Sequence, residues 1–194
     1  MDKTLSLQKR RIRVGLASLT VLLSSSVIVF LAFRPLSPER IRDRAITALE
    51  QHDTATLIRL ADPEEVKRLN LTEKTVSEIL YKTLWQEPPL KNASTGPLLR
   101  NPVDEDVWVI TWASEPRDQK YHLAINVLDS QTIGWKLNLS YILWGCCWRH
   151  SHGPSGMREY VNLAREAGIP GTRQQAGNYV TLEALDKMAT SNGY

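Results

Sequence analysis

QTIGWKLNLSYILW, residues 131–144, reads with a period of two. Trp135, Leu137, Leu139, Tyr141 and Leu143 fall on one side, and Lys136, Asn138 and Ser140 fall on the other. Successive side chains of a strand point to opposite faces, so this alternation predicts a half-buried strand running to Trp144. Two earlier stretches share the pattern. Val107–Ser114 brings Trp108, Ile110 and Trp112 to one side, and Lys120–Leu128 brings Tyr121, Leu123, Ile125 and Val127. Glu115–Asp118 and Asp129–Gln131 supply turn residues between them. The expectation is a three-strand antiparallel meander with one apolar face, of the kind that helices cover.

Helices are predicted on both sides of the meander. Ser37-Pro38-Glu39 is a helix start, with a capping serine, proline at the first helical position and an acid in the first turn. Ile41, Ala45, Ile46, Ala48 and Leu49 follow at helical spacing. Asp53 can cap a short second helix, and Asp62 with Glu65 stand in capping-box positions for a third. A further helical stretch carries Val76, Ile79, Leu80 and Leu84, and Pro88-Pro89 ends it. Beyond His150, Pro154–Ala167 and a last segment opened by Thr181 return to helix.

An Ala-rich helix running into a short Asp-initiated one, "IRDRAITALEQHDTATLIRLADPEEVKRLNLT", resembles the opening of many NTF2-like domains. Helices followed by a curved meander is also the element order of that α+β cone. The resemblance covers roughly residues 37–144 and is one of pattern and order. It implies helices packed on a curved antiparallel sheet whose concave face can line a pocket, with a C-terminal helical tail added. In NTF2-like enzymes an acid or histidine on that face moves a proton. By that resemblance His122 would be the base of an isomerase or dehydratase, with Asn126 and Asn138 donating to an oxyanion.

Ahead of this domain lies VGLASLTVLLSSSVIVFLAF, residues 14–33, without a charge or a proline. About twenty helical residues span a hydrocarbon core of roughly 30 Å. Its length and the large residues at its end favour an uncleaved anchor over a secretory signal. Lys3, Lys9, Arg10, Arg11 and Arg13 precede it, which predicts a cytoplasmic N-terminus and a domain outside the cell membrane. The expected organisation is a basic stub at 1–13, a transmembrane helix at 14–33, an NTF2-like domain at 34–150 and a helical extension at 151–194. The stub carries five basic residues and one acid, while the whole chain has a net charge of +3. Residues 14–194 are therefore near −1, and with no basic stripe in them nucleic-acid binding is not expected.

WGCCWRHSH, residues 144–152, is the most unusual stretch outside the apolar run. Cys146, Cys147, His150 and His152 are soft-metal donors within seven positions. Adjacent cysteines do not match the ligand spacing of structural zinc sites, so no metal and no cofactor is expected. A disulfide involving Cys146 and Cys147 and simple buried packing are the other readings. No phosphate loop, nucleophile elbow or zinc-protease helix is present. The expected role is a non-catalytic binding or scaffold module, with the bilayer engaged through Val14 to Phe33. A protein partner or a second copy is expected on an exposed apolar patch, with Trp148 or the proline-rich loop at 88–102 the places for it.

Overall fold

The computed structural model describes residues 36–86, 94–95, 99–100, 107–113, 122–130, 133–151, 153–174 and 178–191. Of strand residues 94–95, 107–113, 122 and 130 only the backbone is described. Residues 36–194 cluster as one compact unit.

The N-terminal helices form where their start signals stand. Helix α1 is Pro38–Glu50, with Ser37 accepting the Arg40 amide at 3.4 Å, and it buries Ile41, Ala45, Ile46, Ala48 and Leu49. Helix α2, Thr54–Leu60, is capped by Asp53, which accepts from the Thr56 amide at 2.9 Å. Helix α3, Pro63–Arg68, is capped by Asp62, which accepts from the Glu64 amide. Glu65 does not complete the expected box; it points into the core instead. Helix α4, Glu73–Lys82, has a capping box between Thr72 and Thr75, and a 3₁₀ turn at Leu84–Gln86 follows.

The described strands pair antiparallel, and Ala61 adds one isolated parallel bridge to Leu137. Strands β1 (Ser94–Thr95) and β2 (Leu99–Arg100) both pair with β3 (Val107–Ala113). β3 pairs along its length with β4 (His122–Ser130), and β4 pairs with β5 (Gly134–Leu137). Leu123, Ile125 and Val127 on β4 are fully buried, and so is Asn126 between them. β5 covers only the second half of β4, from Val127 to Ser130.

The expected fold needs correction at residues 131–144. The third strand stops at Leu137, and α5 runs from Leu139 to His150 in its place. The physical reason is visible in the side chains. Leu139, Ile142, Leu143, Cys146 and Cys147 recur at helical spacing and are all fully buried. Asn138 leaves the strand and caps the helix. The helices after residue 150 are not an appendage to a sheet domain. Helix α6 (Gly156–Ala167) contributes Tyr160, Val161 and Ala164 to the same core as α1, β4 and α5. A ribbon of β6 (Gly171–Arg173) and β7 (Tyr179–Thr181) leads to α7, Leu182–Ser191.

A transmembrane helix in front of the domain is the second point of correction. Among the described residues no helix is long and apolar enough to cross a membrane. Residues 14–33 lie outside the described residues. The described architecture is α+β, with seven helices and small antiparallel sheets.

Candidate functional site

Helix α5 organises two features, a buried polar knot at its start and an aromatic groove on one flank. The knot is an accounting of backbone donors. A helix begins with four amides that lack intrahelical partners. Here Leu139 and Ser140 donate to the two carboxylate oxygens of Glu65, at 3.2 and 2.8 Å, and Tyr141 donates to the Asn138 side chain at 3.3 Å. Ile142 donates to the Asn138 carbonyl, the first turn of the helix closing on itself. Glu65 thus caps α5 from α3 across 74 positions of sequence, its two carboxyl oxygens set against the free amides of the helix start.

Other groups close around it. The Ser140 hydroxyl accepts from the Arg173 amide at 2.9 Å and from Thr172 Oγ1 at 3.3 Å. Arg173 pairs with Asp62 at 2.7 Å, and Tyr160 donates its hydroxyl to the Gly171 carbonyl. The guanidinium of Arg68 lies 4.1 Å from the Tyr179 ring centroid. Burial pushes the Glu65 carboxyl up to about 7, against the opposing pull of the Ser140 and Leu139 hydrogen bonds and the Arg173 charge. Burial also raises the Tyr160 phenol. Glu65 is fully buried, and both of its carboxyl oxygens are taken up by the backbone amides of α5. Its place is to hold α5.

Of the proton-transfer set, the described residues show the side chains of Asn126 and Asn138 only. His122 lies on β4 with its backbone paired to Ala113, and its side chain is outside the described residues. Asn126 and Asn138 do come together, the Asn138 amide donating to the Asn126 carbonyl at 3.0 Å. Asn138 is not available to an oxyanion, however. Its side-chain oxygen caps α5, and its amide nitrogen donates to the carbonyls of Arg173 and Gln174 at 3.2 and 3.4 Å. The Asn126 amide is buried with neither atom partnered among the described residues.

The cysteine-histidine stretch is divided by the helix. Cys146 and Cys147 face the core, fully buried, and neither is in a disulfide. Burial, then the neighbouring Cys146 and Glu159, raises the Cys147 thiol well above its ordinary value, so its thiolate is disfavoured. His150 turns away toward α6, with Nδ1 2.6 Å from Glu159 Oε1. No group of three or more metal-type donors exists among the described residues, and His152 lies outside them.

The groove is open to a ligand. Tyr141, Trp144, Gly145 and Trp148 share one stripe of α5, and with Ala124 of β4 they line a cavity of about 250 Å³. Tyr141 and Trp144 meet edge to face at 5.5 Å between centroids, and Trp144 and Trp148 at 6.4 Å. The floor is shallow in side chains because Gly145 and Ala124 are small. A β-carbon on Gly145 would stand 3.0 Å from Leu123 Cδ1, so glycine sets the close approach of α5 to β4. Trp148 is 40% exposed, and the indole nitrogen of Trp144 is buried with no acceptor among the described residues. None of the described lining residues carries a charge.

No protein-family model matches the chain, and neither the curated proteins nor the solved structures contain a match to it.

Proposed function

We propose that residues 36–194 act as a non-catalytic binding module whose contact surface is the aromatic groove of α5. The observation that carries this reading is the row Tyr141, Trp144 and Trp148, with Trp148 exposed beside a small-residue floor. Tryptophan and tyrosine are the residue types that dominate binding energy where they line a pocket. A catalytic reading would need His122 to act with partners that Asn138 does not leave free. Turnover lost in His122→Ala would support that alternative.

The groove is tested with a photo-crosslinking residue at position 148 of the full-length chain in its own cells. One discrete adduct is expected, lost when Tyr141→Ala is added. The same crosslinker at Met188, exposed on α7, is the control. No adduct at 148, or the same products from 188, would overturn the assignment.

A further inference from the structure

We infer that a cavity between α1 and α2 binds a phosphate monoester through Arg44 and Arg59. The cavity shares no described lining residue with the α5 groove, so it stands as a second site whatever the groove takes. Its walls follow from helical spacing. Arg44, Ala48 and Gln51 stand at i, i+4 and i+7 along α1 and its C-cap, one stripe of that helix. Asp53, Thr56 and Arg59 repeat every three residues along α2 and supply the other wall. The turn between the helices brings the two stripes together, with His52 in the left-handed region at φ of 57°. Ala48 and Leu60 are buried at the floor. The volume is about 310 Å³, at the small end of the roughly 300–1,000 Å³ of ligand cavities.

Two exposed guanidinium side chains thus share one small cavity. Arg44 has no hydrogen bond or ion pair among the described residues, and Asp43 beside it in the chain pairs with Arg42 at 2.6 Å. Arg59 donates to the Thr56 hydroxyl at 2.6 Å and forms no ion pair with a described residue. Asp53 is the acid among the described lining residues, and both of its oxygens are turned to α2. Oδ1 accepts the Thr56 amide at 2.9 Å, and Oδ2 accepts the Thr56 hydroxyl at 2.6 Å. Two cations in one cavity repel each other, and an anion between them offsets that repulsion. Each guanidinium presents a planar fork that takes two oxygens of an anion. A carboxylate has only two oxygens, so a single fork uses it up. A phosphate monoester has three and carries a charge of about −1.5 to −2 at pH 7, which lets it engage both arginines.

The test uses the full-length chain in detergent micelles, labelled with nitrogen-15, and follows the amide signals of Gln51 and Arg59, one from each wall. Three probes are titrated at constant ionic strength: glycerol 3-phosphate, phosphatidic acid added to the micelles, and acetate. Glycerol 3-phosphate is expected to move both signals saturably, and acetate to leave them in place. Movement by phosphatidic acid alone would keep the phosphate chemistry and assign its source to a lipid headgroup. Arg44→Gln and Arg59→Gln, at exposed positions, are each expected to weaken binding about tenfold. Asp53→Asn keeps a capping oxygen and removes the charge, and it is expected to tighten binding about threefold. Arg165→Gln removes an exposed arginine of α6 that already pairs with Asp186, and it should leave the affinity unchanged. Equal affinity in the Arg44 and Arg59 variants would overturn the assignment, as would an acetate response matching that of glycerol 3-phosphate. Signals that neither phosphate probe moves would overturn it as well.

Discussion

Glu65→Ala lowers the stability of residues 36–194 by about 3 kcal/mol at pH 5–6, the sum of two buried amides losing their acceptor. The amides are those of Leu139 and Ser140, and no other described acceptor reaches them. A second signature separates this carboxylate from an ordinary buried acid. Its folded-state value is raised to about 7 from an ordinary 4.5. Between those values the folded chain holds more protons than the unfolded chain, so stability falls as pH rises. The protonated form's advantage is complete below pH 4.5 and gone above about 7, a span worth about 3 kcal/mol. Arg173, Asp62, Arg68, Tyr160 and Tyr179 are the ionisable groups around it. The carboxylates of Glu39, Asp53 and Glu183 are all lowered by hydrogen bonds, so they titrate below this window. Urea unfolding from pH 5 to 8 reads the effect. Wild type should lose stability across the range, while Glu65→Gln, which cannot ionise, should be nearly flat. An identical slope in both chains would refute the assignment.

The error at residues 131–144 was physical in kind, because the stretch satisfies two periods at once. Positions 135, 137, 139, 141 and 143 alternate, while positions 139, 142, 143, 146 and 147 repeat as a helix does. Local pattern alone does not separate them inside a window that ends at Trp144. Extending it to Cys147 favours the helix, and Asn138 is then an N-cap in place of a mid-strand residue. The starts of α1, α2 and α3 were legible because their signals are local: a short polar side chain reaching an amide two or three residues ahead. Glu65 was not legible for the converse reason. It occupies a capping-box position in α3, yet its partners are 74 and 75 residues away, and nothing local distinguishes the two uses. The groove was half legible. Trp148 stood out as a candidate patch, but Tyr141 and Trp144 join it on one flank only once α5 is a helix, since seven residues make two turns.

Gly156→Ala should be about as damaging as the loss of Glu65, by about 3 kcal/mol, because it acts on backbone rather than on side chains. Gly156 opens α6 where that helix crosses α5. A β-carbon there would run into the Cα of Trp148 and lie 2.6 Å from its backbone nitrogen. Neither atom can rotate away, so α6 must move off α5 or the first turn of α6 must unwind. Either response displaces Trp148 and weakens the packing of Tyr160 and Val161, which are fully buried between the two helices and their neighbours. Gly168 provides the contrast within the same helix. It ends α6 with φ of 76° and has open space around its missing β-carbon. Alanine there meets only the left-handed backbone penalty, about 1 kcal/mol. The pair therefore separates a steric contact between helices from a conformational requirement at a helix end. Thermal unfolding should rank Gly156→Ala well below Gly168→Ala, and tryptophan fluorescence of the folded chain should change only in the former. If both substitutions lower stability equally and leave the fluorescence alone, α6 does not set the position of Trp148, and the groove must be held by α5 and β4 without it.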